Sequence, residues 1–316
     1  MKKMFRFLFL LPIANCLLPT GLFAQQLPLT NQHTINKFSL SPAYAGAGEG
    51  FEIFGTYRHD WMGVAGSPLT KIISANGMVC KGMGLGGTIS SQEAGIFRNQ
   101  TASLSYAYHV KLGGTQTLSF GLALGLLDSH VDVSGSAAQA DPVAANNQGI
   151  NSLVLDGGFG LLYRCKSLHA GISLPRLMSS KIKNTDGNTV YSLAMQQNIH
   201  FGYKYSFNTD WAIDPLARIS MVKNAPLFYE LAIPIIYRQK VWLAPVYKKT
   251  SMALGIGGIP YTNFIAQYSY EFSSKGVMAQ SSGTHEITIG WRMAAKKKTD
   301  VPAPSSKKPY YQWLNK

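Results

Sequence analysis

The side chains that could do chemistry are spread thinly over this chain. Three histidines, His109, His200 and His285, fall on separate stretches in which apolar and polar residues alternate. A serine and a histidine on neighbouring strands of a barrel can form a nucleophile and its base, and such an enzyme would act on lipid. The sequence contains no G-x-S-x-G, H-E-x-x-H or P-loop motif and no cluster of Cys and His. We therefore predict no catalytic activity, no cofactor and no metal, with the histidines lining a wet interior.

The remaining polar candidates fit the same interpretation. Several charged residues lie within the alternating stretches, and we expect them to face water inside the molecule: Glu230, Arg238, Glu271, Glu286 and Arg292. Cys80 and Cys165 fall in two predicted short turns. Two cysteines do not make a disulfide framework, so unpaired thiols are the favoured interpretation.

The elements that position these side chains are strands. Between Thr101 and Leu127 the residues alternate with a period of two on both sides of the pair Gly113-Gly114, which tolerates the positive φ of a tight turn. One face of this hairpin is apolar and the other is small or polar. The pattern is typical of a half-buried sheet, and equally of a membrane barrel whose apolar face meets lipid.

The whole chain resolves this choice in favour of a barrel. Alternating segments follow one another to the end of the chain and predict fourteen antiparallel strands, an even number as bacterial outer-membrane barrels require. Their predicted spans are 51–61, 69–80, 83–92, 98–112, 115–130, 150–164, 167–175, 192–207, 210–222, 226–238, 240–248, 251–259, 261–272 and 284–293. Pro215, Pro234 and Pro245 lie inside these spans and predict bulges or bends.

The lengths of the connections alternate in the same way. Every second connection is short, whereas the connections at 131–149, 176–191 and 273–283 are long. Outer-membrane barrels have tight periplasmic turns and long outer loops, and a soluble sandwich has no reason to sort its loops by parity. We therefore expect the three long loops to form the outer surface.

Composition and charge support this interpretation. Only 14% of the 316 residues are charged, whereas 46% are apolar. A soluble protein of this size covers itself with charge, but a barrel presents its apolar side chains to lipid. More than half of the net charge of +14 lies in the two ends of the chain. No basic stripe with interleaved aromatics is present, so nucleic acid is not an expected partner.

The first 24 residues read as a secretory signal peptide. A basic start containing Lys2, Lys3 and Arg6 precedes an apolar core, and cleavage is expected after Ala24. A lipoprotein signal would use Cys16, but Asn15 fits poorly in the preceding position. No later stretch contains 18 consecutive apolar residues, so a transmembrane helix is not expected.

Two segments flank the predicted barrel of residues 51–293. Residues 25–50 contain breakers and apolar residues, and could form a plug in the lumen, a strap across the periplasmic mouth or a flexible lead-in. Residues 294–316 read as a basic, solvated linker that ends in aromatic residues and emerges in the periplasm, where it either docks or stays disordered. The residues we predict to contact a partner are Asn31, Phe38, Pro42, Tyr44, Tyr310, Tyr311 and Trp313.

Three groups of motifs go beyond a generic barrel. The first joins the stretch from Leu29 to Gln32 with SPAYAG at 41–46, RHDWMG at 58–63 and GSP at 66–68; the second is SYAYHV at 105–110 with LSFGL at 118–122, and the third is GTHEI at 283–287. Taken in this order, they resemble the PorP/SprF family of outer-membrane proteins of the type IX secretion system. Ser41 stands where the family usually has Asn, and the tail after Met293 looks like an addition.

The resemblance implies a partner-binding role for the chain. It implies an outer-membrane barrel of a Bacteroidota-type bacterium that works beside the secretion or gliding machinery. The implied partners are a secreted protein with a type IX C-terminal domain and periplasmic secretion or motility subunits, and no catalysis is implied. Two alternatives stay open at this point, a passive porin and a barrel enzyme acting on lipid through His109 or His200.

Overall fold

The computed structural model describes residues 29–48, 50–131, 151–183, 187, 189–273 and 276–293. Seventeen paired segments form one sheet, and three of its strands are each interrupted once, which leaves fourteen strands. We number them β1 Phe51–His59, β2 Leu69–Cys80, β3 Met83–Ala94, β4 Phe97–Gly113, β5 Gln116–Val131, β6 Asn151–Cys165, β7 Leu168–Leu174, β8 Gln196–Tyr203 with Tyr205–Ser206, β9 Trp211–Ile213 with Leu216–Val222, β10 Phe228–Ala232 with Ile235–Tyr237, β11 Val241–Lys248, β12 Met252–Tyr261, β13 Phe264–Phe272 and β14 Thr284–Met293.

The sheet closes on itself. Each strand pairs antiparallel with the next, and β1 pairs with β14 from Phe51 opposite Met293 to His59 opposite His285. Closure leaves no strand edge unpaired, which is the condition for a sheet to cross a bilayer. The prediction of a fourteen-stranded antiparallel barrel is confirmed.

Two of the three interruptions of the sheet fall at prolines where a bulge or bend is predicted. The breaks in β9 and β10 fall at Pro215 and Pro234, which have no N–H to donate to the ladder. The hydrogen bonds continue through the proline carbonyls, since Tyr203 donates to Pro215 and Asp214 donates to Pro234. Pro245 stays within β11, opposite Leu254. The strands therefore bend without separating.

The two faces of the sheet differ sharply in chemistry. On β4, Ala107 and His109 are buried, whereas Tyr106 and Tyr108 are exposed on the outside. The same alternation recurs on β14, where Glu286 is buried and Ile287 is exposed. The outer surface is thus an apolar belt suited to acyl chains, and the polar residues face inward.

The two ends of the barrel differ in the length of their connections. At one end, which we call the short-turn mouth, the connections are residues 81–82, 114–115, 166–167, 207–210, 238–240 and 262–263. At the other end, the long-loop mouth, they are residues 60–68, 95–96, 132–150, 175–195, 223–227, 249–251 and 273–283. The long-loop mouth also includes a small hairpin, Lys181–Lys183 with Thr189–Ser192, and a 3₁₀ helix, Val277–Gln280.

The segment before β1 lies inside the barrel. Residues 29–48, here called the luminal segment, contain three short 3₁₀ helices, Gln32–Thr34, Lys37–Leu40 and Pro42–Tyr44. Nearly all of its residues are buried. Within the part of the chain that the structure describes, no helix is long and apolar enough to cross a membrane.

Candidate functional site

Many hydrogen bonds and ion pairs join the luminal segment to the barrel wall. The segment starts in the long-loop half, where Lys248 Nζ donates to Leu29 O over 3.2 Å. It ends at the short-turn mouth, where Arg164 donates to Ala47 O over 2.7 Å. The segment therefore spans the lumen lengthwise before the chain enters β1.

The SPAYAG stretch owes its shape to its own residues. Ser41 accepts a hydrogen bond from Ala43 N at 3.2 Å and so caps the third 3₁₀ helix, while Pro42 occupies the first helical position. Gly46 follows with a φ of +69°, a conformation that glycine adopts without a steric penalty. Gly46 N then donates to Asn76 Oδ1 on β2. The motif is therefore a compact turn that packs against the barrel wall.

A row of small residues forms that wall. Gly84 lies opposite Ala107, Ala107 opposite Gly121 and Gly121 opposite Gly160, on β3 to β6. We call these four residues the glycine row. A Cβ on Gly84 would lie 1.9 Å from Ala45 O, and one on Gly121 would lie 2.2 Å from Ala43 N. Only glycine at these positions lets the two backbones approach so closely.

Tyr44 extends from this contact toward β7 and β8. Its hydroxyl lies 2.8 Å from His169 Nδ1 and 3.1 Å from His200 Nε2. Burial raises the pKa of the Tyr44 hydroxyl, so it keeps its proton and can donate to one ring while accepting from the other. The Tyr44 side chain thus attaches the segment to a second part of the wall, β7 and β8, away from the glycine row.

A network of charges holds the other end of the segment. Glu286 on β14 accepts from Asn31 N at 2.9 Å and from Arg58 on β1 at 3.1 Å. Arg58 also contacts Glu271 on β13 at 3.1 Å, and Glu271 contacts Lys248 at 2.7 Å. All four charged side chains are almost completely buried. We call Arg58, Lys248, Glu271 and Glu286 the charged anchor.

Two further contacts join the middle of the segment to the wall, an ion pair at Lys37 and a histidine–carboxylate contact at His33. Lys37 Nζ lies 3.2 Å from Asp214 Oδ2, and His33 Nε2 lies 3.0 Å from Glu230 Oε1. Burial lowers the pKa of His33 to about 4, although the nearby Glu230 carboxylate acts in the opposite direction. The imidazole is therefore neutral at pH 7 in the folded protein.

The residues predicted to contact a partner fall into two groups. Asn31, Phe38 and Tyr44 are buried against their own barrel, and Pro42 is half-buried beside the glycine row. Their described contacts are therefore intramolecular, and a role in binding a partner stays a prediction. The predicted contact residues of the tail, Tyr310, Tyr311 and Trp313, lie outside the described residues.

Of the histidines considered for catalysis, His109 and His200 contact the luminal segment, whereas His285 lies on the outer face. His109 donates from Nε2 to Ala45 O at 2.9 Å, and its Nδ1 lies 2.7 Å from Ser119 Oγ. A Ser–His pair therefore exists, but Ser119 is fully buried beneath the segment and faces away from lipid. The prediction that His285 lines the interior is wrong, because His285 is half-exposed on the outer face and contacts Tyr268 at 2.7 Å. Its position on the outer surface separates it from His109 and His200.

Among the described residues, neither the thiols nor the possible metal ligands form a disulfide or a metal site. Cys80 is exposed, Cys165 is half-exposed, and both are free. No group of three or more His, Cys, Asp or Glu that could hold a metal occurs among the residues described.

Sequence reasoning missed the glycine row and one apolar contact within the lumen. The inward registers of Gly84, Gly121 and Gly160 were readable from the alternation, but their closeness to SPAYAG was not. Phe54, with 1% exposure, and Trp242 pack with Ile35 of the segment. The alternation places Phe54 on the same face as Glu52 and Arg58, but aromatic side chains in a barrel usually read as lipid-facing, so sequence reasoning did not assign these two to the lumen.

Comparisons with known proteins agree with the fold. The family described as type IX secretion system membrane protein PorP/SprF matches residues 22–291. No curated protein matches the chain. Among solved structures, the toluene transporter TbuX of Ralstonia pickettii is 13% identical over 81% of this chain and 92% of its own, with a TM-score of 0.50. The outer membrane protein Omp33 of Acinetobacter baumannii is 8% identical over 78% of this chain and 100% of its own, with a TM-score of 0.46.

Proposed function

Because the chain belongs to the PorP/SprF family of type IX secretion system membrane proteins, we propose that it binds other proteins and catalyses no reaction. Its partner would be a secreted surface protein with a type IX C-terminal domain or a periplasmic subunit of the secretion or gliding machinery. The observation that supports this proposal best is the filled lumen. A barrel whose interior is occupied by its own chain works through its mouths and outer loops.

The motifs behind the family resemblance support the same proposal. Asn31, Arg58 and Glu286 belong to three separate motifs, yet they meet in the charged anchor. Likewise SPAYAG meets His109 and Gly121 at the glycine row. These motifs hold the luminal segment in place. The motifs of the family resemblance are therefore those that keep the lumen filled. Binding specificity would then reside in the mouths.

The orientation of the barrel completes the proposal. We place the short-turn mouth in the periplasm, as is usual for outer-membrane barrels. The chain leaves β14 at that mouth, so the basic tail of residues 294–316 would meet periplasmic subunits. The connections at 132–150, 175–195 and 273–283 would then face the cell exterior and a secreted partner.

A deletion strain tests the proposal. We expect loss of the gene to leave a specific surface protein retained in the periplasm or released into the medium, and the full-length gene to restore its display. Mass spectrometry of the surface, periplasmic and medium fractions measures this directly. Normal display of every type IX cargo in the deletion strain would contradict the proposal.

The tail can be tested separately from the barrel. We expect a chain lacking residues 296–316 to lose a periplasmic partner in pull-downs from detergent-solubilised outer membrane. The same chain should still shift its mobility on a gel upon heating, because the strands are unchanged. Recovery of the same periplasmic proteins with both chains would remove the tail from the proposal.

A passive porin is the second candidate function, and one observation favours it. A cavity of about 270 Å³ lies beside the luminal segment, and its lining includes several serine and threonine side chains, among them Ser90, Thr101 and Ser103. Such a space could pass water or small polar solutes if it connected both mouths. Steady conductance of the wild-type protein in planar bilayers would favour this candidate, and its absence would favour the binding role.

A further inference from the structure

A second cavity opens between the luminal segment and the short-turn mouth. Its volume is about 70 Å³, enough for a group of a few heavy atoms. Residues from the segment, β1, the β6–β7 turn and β14 line it. Its cationic lining residues are Lys37, Arg164, Lys166, Lys204 and Arg292.

The acidic residues of this cavity already have partners. Among the residues that the structure describes, two carboxylates line it, those of Glu52 and Asp214. Arg292 donates to Glu52 Oε1, and Lys37 lies 3.2 Å from Asp214 Oδ2. In the described lining, the cationic groups outnumber the acidic ones by five to two, which is an excess of positive charge.

Lys204 is the cationic group of this lining that has no direct partner among the described residues. The residue is 6% exposed, and its ammonium has neither a hydrogen bond nor an ion pair with any residue that the structure describes. An ammonium taken out of water without a partner is strongly unfavourable. A negatively charged group in the cavity would remove that cost, and Arg164 and Lys166 add positive charge to the same lining.

We propose that this cavity binds one compact oxyanion, a carboxylate or a phosphate group on a soluble molecule. The strands separate the cavity from the bilayer, so a lipid headgroup in the membrane does not reach it. Guanidinium and ammonium groups together suit an anion with several oxygens better than chloride, because each oxygen accepts its own hydrogen bonds. This site is independent of the partner binding proposed above.

Thermal unfolding of the detergent-purified full chain tests the site. Inorganic phosphate and acetate are titrated in separate arms at constant ionic strength, with sodium chloride as the balancing salt. The variants are Lys204→Met and, as a matched control, Lys223→Met, since Lys223 is exposed at the opposite mouth. For phosphate, broadening of the ³¹P resonance provides a direct second measurement of binding.

We expect a saturable rise in the unfolding midpoint with phosphate or acetate for the wild type and Lys223→Met. Lys204→Met should show no saturable rise, and should unfold at a higher temperature than the wild type when neither anion is present, because it removes an unpaired buried charge. A response to phosphate alone identifies a phosphate site, and one to acetate alone a carboxylate site. The proposal is overturned if neither anion acts saturably, if Lys204→Met responds like the wild type, or if this variant unfolds at a lower temperature without anion.

Discussion

The two ends of the luminal segment are held by opposite means. At the charged anchor, full charges such as Arg58 and Glu286 meet in a dry site, and each requires the others. At the glycine row, side chains are absent, so the backbones of Ala43 and Ala45 approach the wall closely. The contact at the charged anchor depends on the pairing of charges, whereas the contact at the glycine row depends on the room that the glycines leave for the segment. The two regions should therefore respond differently to substitution.

The largest expected effect is at the charged anchor. Arg58→Met removes the cation that separates Glu271 from Glu286 and leaves both carboxylates buried. Breaking such a pair costs about 3–5 kcal/mol, so we expect the free energy of unfolding to fall by that amount. Urea titration of the barrel in vesicles, followed by tryptophan fluorescence, measures the change.

The control for this variant is Arg98→Met. Arg98 pairs with Glu93 at 3.6 Å, but both side chains are largely exposed. Exposed ion pairs contribute about 0–1 kcal/mol, so this variant should unfold nearly as the wild type does. Equal effects of the two arginine variants would mean that the anchor is no more important than a surface pair.

The next largest effect is expected at the glycine row. Gly84→Ala places a methyl group on Ala45 O and should cost about 1–3 kcal/mol by overpacking. Gly87 lies on the same strand, and a Cβ there would have no atom nearer than 3.6 Å. Gly87→Ala should therefore be nearly neutral in the same urea titration. If Gly84→Ala proves as harmless as Gly87→Ala, the segment does not press against this wall.

A smaller effect is expected for Tyr44→Phe. The variant keeps the ring but removes the hydroxyl between His169 and His200, which should cost about 1 kcal/mol. Tyr106→Phe is the matched control, because Tyr106 is exposed on the lipid-facing side. The difference between the two unfolding free energies gives the contribution of the Tyr44 hydroxyl. A difference of zero would show that water replaces it without loss.

The smallest effect is the response to mild acid. His33 has an ordinary pKa of 6.5 in the unfolded chain and about 4 in the folded one, so the unfolded chain takes up the proton first as the pH falls. Stability is then complete above pH 6.5 and declines as the pH falls toward 4, by about 1 kcal/mol at pH 6. The slope measured between pH 7.5 and 6 should be shallower in His33→Gln. An unchanged slope would remove His33 as its cause.

The sequence was sufficient for the wall of the barrel but insufficient for its interior. Strand positions follow from a local period of two, which any reader can measure along β4 or β14. The contacts of the segment do not follow from local pattern, because Asn31 and Glu286 are 255 residues apart. The choice between plug and strap depends on such contacts, and composition alone does not express them.

For some residues, the type of side chain does not indicate the contacts that it makes. The prediction that Arg238 faces inward is wrong, because Arg238 lies exposed in the turn at 238–240 and pairs with Asp210. The pattern also predicts that Glu271 and Glu286 face inward, and they do. It does not show that they bind one arginine and one backbone amide instead of water. Phe54 and Trp242 have side chains of the type that usually faces lipid, and the packing with Ile35 shows what they contact inside the barrel.

The central claim is that the luminal segment lies inside the barrel, and a cross-link tests it most directly. Asn36 Nδ2 lies 3.0 Å from Ser74 Oγ on β2. The test introduces Asn36→Cys with Ser74→Cys into a chain whose Cys80 and Cys165 are replaced by serine. After treatment of intact membranes with a short thiol cross-linker, mass spectrometry should find the peptides containing positions 36 and 74 joined within one chain. Failure to join them, together with labelling of position 36 by a bulky water-soluble maleimide, would contradict the claim.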